Sequence, residues 1–318
     1  MRIVVTGAGG FIGRELVRRL AAGGLAGATS EARIVAIDEA LPPESLPLGI
    51  RPVIGDISDP ALLDAIMAEP IDVLFHLAAV PGGASEGDFG LGWRVNALAT
   101  LGLIERLSRQ ARPARMVFSS TIAVFGVPLP RDRVDDETLP LPTLSYGAQK
   151  LMMETLLADH ARRGTIDALC LRLPGIVARP RRPGGHHSAY MSDIFHALAA
   201  GEAYTCPVSA ASTSWMMSRQ RCVDNLLQAA VLPAERIGTR RAFCLPALRL
   251  SMGEVVEAMA ERFGPEVRER VTFAPQPALE AQYGSYPPIV TAIADGLGFS
   301  HDGDAASLLA RALELTEA

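Results

Sequence analysis

From Met1 to Pro174, short apolar runs rich in Val and Ile alternate with longer segments in which apolar residues recur every three or four positions. Runs of that kind fit strands buried on both faces, the longer segments fit amphipathic helices, and their alternation predicts a parallel sheet wrapped by helices. The predicted strands are RIVVTG (2–7), RIVAID (33–38), PVIGD (52–56), IDVLFHLAA (71–79), RMVFSS (115–120) and ALCLRLPG (168–175). Between them GRELVRRLAAG (13–23), PALLDAIMAE (60–69), VNALATLGLIERLSRQ (95–110) and GAQKLMMETLLADHARR (147–163) read as crossover helices.

After Gly175 the rhythm loosens. The stretch ARPRRPGGHH (178–187) is rich in Pro, Gly and Arg and reads as a loop, which sets a domain boundary at 174/175. Beyond it, VDNLLQAAVLP (223–233) reads as a helix and RAFCLPA (241–247) as a strand. SMGEVVEAMAERFG (251–264) carries Ser251 and Glu254 at capping-box spacing. The fold class is therefore α/β: a doubly wound parallel sheet in 1–174, completed by elements near 220–247, and a smaller mixed α/β region in 175–318.

Composition narrows the function classes. Of the 318 residues 49% are hydrophobic and 20% charged, without a run of about 18 apolar residues, so a packed globular chain and no membrane span is expected. The N-terminus shows no signal-peptide order of charged, apolar and small-residue regions, which predicts a cytoplasmic protein. A net charge of -5 gives no footprint for nucleic acid or an anionic membrane, and favours a small-molecule partner. Cys170, Cys206, Cys222 and Cys244 are widely spaced with no C-x-x-C pair, so buried free thiols are expected and no metal site.

The first predicted strand runs into GAGGFIG, with Gly7, Gly10 and Gly13 three apart and a helix directly after. In that setting the first glycine permits a tight turn, the second lets a pyrophosphate approach the backbone, and the third lets helix and strand pack closely. The N–H groups of the helix start then face the phosphates. Asp38 ends the second strand, where a carboxylate accepts ribose hydroxyls and repels a 2′-phosphate, which points to NAD rather than NADP. Asp56 and Ile57 end the third strand, where they would bracket the adenine. Leu77, Ala78 and Ala79 end the fourth, small enough for a cofactor to lie against the backbone.

In SYGAQK, Tyr146 and Lys150 lie one helical turn apart on one face. Removing a hydride from a carbinol carbon needs a base for the hydroxyl proton, and a tyrosine of pKa near 10 serves only if something lowers it. A cation about 5 Å away is worth roughly 3 kcal/mol at an effective dielectric near 20. Tyr146 is thus the candidate base, with Lys150 lowering its pKa and binding ribose. Ser119, Ser120 and Thr121 follow the fifth strand at its carboxyl end, where open α/β sheets bind ligands. Thr121 would hydrogen-bond the reacting oxygen and Ser120 the substrate.

With these motifs in order, the chain resembles the extended short-chain dehydrogenase/reductase superfamily over its whole length. The resemblance implies a Rossmann NAD-binding domain in 1–174, a substrate-binding cap in 175–318 that closes over the substrate, a Thr121–Tyr146–Lys150 triad and pairing of subunits as a homodimer. It adds Phe11, Ile12, Asn96 and Pro174 to the cofactor contacts. Dehydratases of the superfamily follow the threonine with Asp-Glu, where this chain has Ile122 and Ala123. Nucleotide-sugar epimerases carry an asparagine where Gly175 stands and an arginine where Ser218 stands. The overall look is most similar to the D-erythronate dehydrogenase subgroup, implying NAD-dependent oxidation of the C2 hydroxyl of a four-carbon sugar acid. The carboxylate of such a substrate calls for a cation, with Arg179, Arg181, Arg182, Arg219 and Arg221 as candidates and Arg179 and Arg219 foremost. His186 and His187 read as loop residues. A nucleotide-sugar epimerase that retains NAD stays open as the alternative. A dinucleotide sensor without catalysis also stays open, although such a protein is expected to lose the Tyr–Lys pair.

Overall fold

The structure, a computed structural model, describes residues 1–27, 32–42, 44, 46–181 and 188–313. Arg182, His186 and His187 lie outside the described residues. The strands are β1 (Arg2–Thr6), β2 (Arg33–Asp38), β3 (Ile50–Ile54), β4 (Val73–His76), β5 (Arg115–Thr121), β6 (Asp167–Leu173), β7 (Gly175–Ile176), β8 (Tyr204–Cys206), β9 (Thr213–Met217), β10 (Ala242–Cys244), β11 (Leu248–Ser251) and β12 (Val271–Phe273). Seven of them form one sheet in the order β10-β6-β5-β4-β1-β2-β3, parallel throughout. This is the doubly wound Rossmann-like sheet that the alternating pattern predicts. Among the described residues no helix is long and apolar enough to cross a membrane.

The chain forms two compact units: Met1–Phe125 with Pro140–Leu173 and Val223–Cys244, and Gly126–Leu139 with Pro174–Cys222 and Leu245–Ala318. In the first unit the central strands are apolar on both faces because helices cover both, and Val4, Leu74, Phe118, Leu103, Ile104 and Leu157 are buried together. Strand order reverses at β1, which pairs with β2 on one side and β4 on the other. Ligands of open α/β sheets bind beyond the carboxyl ends at such a switch point. The second unit holds a three-stranded sheet, β11-β9-β7, and a two-stranded one, β12-β8. Ile194, Phe195, Val255, Met259 and Leu308 form its core.

Several elements depart from the sequence reading, each for a local reason. β3 spans Ile50–Ile54 rather than 52–56. It is an edge strand, where Pro52 costs no ladder bond, so pairing begins earlier than the apolar residues suggest. The helix expected over 95–110 starts as a π-helical stretch, Trp93–Ala99, and becomes α-helical over Thr100–Leu107. The helix expected from Val223 starts at Arg219, since the buried Ser218 hydroxyl accepts the Arg221 N–H. Ser218 in turn donates its own N–H and hydroxyl to the Asp302 carboxylate. The capping box at Ser251 and Glu254 forms as predicted. All four cysteines are free and buried.

Candidate active site

β1 hands over to the helix Phe11–Ala21 through Gly7–Gly10, and the three glycines of the spacing motif meet three different surroundings. Gly7 has φ +72°, and a Cβ on it would lie 2.6 Å from the Ala78 nitrogen. The turn passes close to the backbone just beyond β4 there, and only glycine permits it. A Cβ on Gly13 would lie 2.0 Å from the Gly7 oxygen, so the third glycine sets helix against strand. A Cβ on Gly10 would meet only the Gly7 oxygen, at 3.1 Å. Gly10 caps the helix without a side chain, so no side chain covers the helix start, the place where the backbone of such turns receives anions.

Gly9, which the three-residue spacing passes over, is equally constrained. Its N–H donates to Asp38 at 2.9 Å, and a Cβ there would lie 2.5 Å from the Ala40 oxygen. Ala40 donates to the other Asp38 oxygen at 3.1 Å. Two backbone donors therefore fix the carboxylate at the end of β2, and its remaining lone pairs suit ribose hydroxyls. Asp56 accepts from the Ser58 N–H and hydroxyl, both at 2.7 Å. Burial alone would push its carboxyl up, but those bonds and the Arg94 charge bring it below the usual range. The Ile57 side chain lies in the apolar core.

Past β4, the Leu77 N–H donates to the Thr6 carbonyl and the Ala78 N–H to the Thr6 hydroxyl. The hydroxyls of Thr6 and Thr100 hydrogen-bond the two ring nitrogens of buried His76, at 2.6 and 2.9 Å. Burial, with the Lys150 charge adding to it, pulls the imidazole down to about 3, so the ring is neutral. Asn96 lies in the π-helical stretch, and its carboxamide accepts the Val80 N–H and donates to Val80, Ser85 and Gln149. Both polar atoms of its amide meet protein partners, and Asn96 thereby fixes Val80, after β4, against the helix of the Tyr–Lys pair. π-helical insertions recur where a side chain must be re-aimed at a site.

That helix, Ser145–Arg162, brings Tyr146 and Lys150 to the carboxyl end of β5. It packs closely because Gly147 faces Ala123, where a Cβ would lie 2.3 Å from the carbonyl oxygen. Lys150 is fully buried; its Nζ donates to the Ser119 carbonyl at 2.8 Å and lies 4.5 Å from the Phe118 ring centroid and 5.8 Å from that of Tyr146. Burial above all pulls this ammonium down to about 7, against the upward pull of Cys170 and Glu154. Thr121 is at the end of β5, its hydroxyl accepting the Ala123 N–H at 3.1 Å. Ser120 is buried and its hydroxyl donates to Glu154. Glu154 also accepts from Arg172 of β6, at 2.7, 3.0 and 3.2 Å.

In the second unit, Pro174 is buried at its first residue after β6. Arg179 follows Ala178, which has φ 56°, a left-handed conformation rare for a residue with a Cβ, and the Arg179 carbonyl hydrogen-bonds His196 at 2.7 Å. Arg219 opens the helix Arg219–Val231. Arg181 is tied to Glu202 at 2.9 Å. Missed by the sequence reading were Gly9, Gln149, Glu154, Arg172 and Asp302. Only Glu154 left a signal, four residues beyond Lys150 on the same helical face.

Residues 3–216 match the NAD dependent epimerase/dehydratase family. The D-erythronate dehydrogenase of Cupriavidus necator is 36% identical over 307 residues, covering 95% of this chain and 94% of that one. The D-erythronate dehydrogenase of Haemophilus influenzae is 29% identical over 315 residues, 99% of each chain. Among solved structures, the crystal structure of the nucleoside-diphosphate-sugar epimerase from Agrobacterium tumefaciens matches with a TM-score of 0.91 at 30% identity, covering 99% of this chain and 94% of that one.

Proposed function

This chain belongs to the NAD dependent epimerase/dehydratase family and is an NAD-dependent enzyme, and from that premise we propose that it oxidises the C2 hydroxyl of a four-carbon sugar acid, D-erythronate, to the 2-oxo acid. The observation that carries the chemistry is the buried Lys150 ammonium one helical turn from Tyr146. The substrate class is supported by two relatives of nearly full coverage that bear the name D-erythronate dehydrogenase.

In this reading the first unit binds the cofactor and the second contributes most of the substrate recognition. Gly7, Gly10, Phe11, Ile12 and Gly13 hold the diphosphate with backbone N–H groups. Asp38 takes the adenosine ribose, and Asp56 with the Ile57 backbone takes the adenine. Leu77, Ala78 and Ala79 wall the cofactor, and Pro174 lines its far end. When bound, NAD accepts the C2 hydride. Tyr146 takes the hydroxyl proton as the carbonyl forms, Thr121 holds the reacting oxygen, and Lys150 stabilises the tyrosinate and binds the ribose. Arg179 and Arg219 are the proposed partners of the carboxylate, by bidentate hydrogen bonds. Two copies pair through the segments 93–107 and 145–162, a reading supported by Leu98 and Met152, 50% and 46% exposed there. The four free thiols support a reducing, cytoplasmic setting.

The test is NADH formation by purified protein with NAD and D-erythronate, beside L-threonate, D-threonate and UDP-sugars. Saturable NADH release with D-erythronate is the expected result. The second reading, a nucleotide-sugar epimerase, draws support from the Agrobacterium relative. Interconversion of a UDP-sugar without net NADH would establish it and overturn the dehydrogenase.

A further inference from the structure

Lys150 is held in a closed setting whose charges can be named one by one. From β5 it receives the Ser119 carbonyl and the Phe118 ring, and from β4 the neutral His76. From β6 it faces Cys170, whose thiol burial pushes well above its ordinary value and so keeps protonated. The stretch Trp93–Ala99 places uncharged Asn96 against neighbouring Gln149, and Ile122–Phe125 is apolar. Glu86 lies at the start of the helix, on the Ser145 N–H. On the same helix Tyr146 is one turn before Lys150 and Glu154 one turn after. Of the two groups that pull the ammonium up against burial, Cys170 and Glu154, Glu154 is the one on its own helix.

Glu154 is itself fixed from both sides. The Ser120 hydroxyl of β5 donates to Oε1, and the Arg172 guanidinium of β6 binds both oxygens, within a buried setting that includes Cys244 and the Phe125 ring. Burying such a pair is costly, and sheet packing alone would be served as well by apolar residues of the same volume. Its location, between the strand that carries Thr121 and the helix that carries Tyr146, gives it a second use. We propose that Glu154 and Arg172 are positioning residues that join the ends of β5 and β6 to the Tyr–Lys helix and set, by opposite charges, how firmly Lys150 keeps its proton.

The inference rests on the proposed role of Lys150 at the cofactor ribose, and its test needs no sugar acid. NADH affinity is measured by fluorescence across pH 5.5–9.5 for wild type, Glu154→Gln and Arg172→Met. A Lys150 ammonium that donates to the ribose makes affinity fall as it deprotonates. Removing the anion leaves Arg172 unbalanced and moves the midpoint to lower pH; removing the cation leaves Glu154 unbalanced and moves it higher, each by about one unit. Damage to packing alone would weaken binding in both variants without opposite shifts. Glu154→Asp and Arg172→Lys keep the charges and should return the midpoint toward wild type even where the neutral variants fold poorly. Shifts of the same sign, or none, in the folded variants overturn the proposal. Wild-type protein that binds no NADH at any pH overturns the reading beneath it and the proposal together, whereas NADH binding without sugar-acid turnover rejects only the substrate.

Discussion

Tyr146→Phe removes one oxygen and leaves the ring beside Lys150. It is expected to lower kcat by about 10²–10⁴-fold, the usual worth of a positioned acid–base group, while the Kd for NADH stays within a few-fold. Steady-state kinetics beside NADH titration checks both halves, and turnover near the wild-type rate would remove the assigned base. His76 allows a prediction of the opposite kind, about stability. Its folded value is about 3 and its ordinary value 6.5, so between those limits the unfolded chain holds the extra proton. Stability from the neutral ring is complete above pH 6.5 and is lost as pH falls toward 3, by at most about 1.4 kcal/mol per pH unit. Urea unfolding at pH 7 and at pH 4.5 should show a shallower pH slope for His76→Asn than for wild type. The placement of Tyr146, Lys150 and Asp38 was legible because it depends on spacing along one helix or on the end of one strand. The protein partners of Ser120 and Asn96 were not legible, because residue type alone does not reveal which neighbour a buried polar atom meets.

The glycine turn separates packing from binding within one element. Gly13→Ala would put a methyl group 2.0 Å from the Gly7 oxygen, so the first helix must move off β1. A loss of about 1–3 kcal/mol is expected in urea unfolding. Gly10→Ala meets a single backbone oxygen at 3.1 Å and should fold with nearly wild-type stability while NADH binding weakens at least tenfold. Equal stability losses in the two variants would contradict the division of roles. The central strands were legible because burial on both faces writes an unbroken apolar run. The edge strand β3 was not, since only partner pairing decides where a half-exposed segment containing Pro52 begins. The π-helical stretch at Asn96 escaped for a similar reason: apolar residues at three and four positions suit either helix.

At the scale of the whole molecule, association is the open quantity with a direct test. Met152→Glu places a charge on the exposed face of the helix Ser145–Arg162. If the proposed pairing holds, the variant should run as a monomer in light scattering and the wild type as a dimer, with the variant's unfolding midpoint in urea little changed at matched monomer concentration. A wild type that is already monomeric would remove the proposed pairing. What the sequence determined by itself is the order of strands and helices, the glycine turn, and the placement of Tyr146, Lys150 and Asp38, because each depends on local periodicity or on residues within one or two turns. Tertiary structure alone decided the partners of buried polar groups. Ser120 with Glu154 and Arg172, Asn96 with Gln149, and Ser218 with Asp302 join residues far apart in the chain. A buried polar atom must find a partner wherever packing brings one, and one-dimensional spacing carries no record of that meeting.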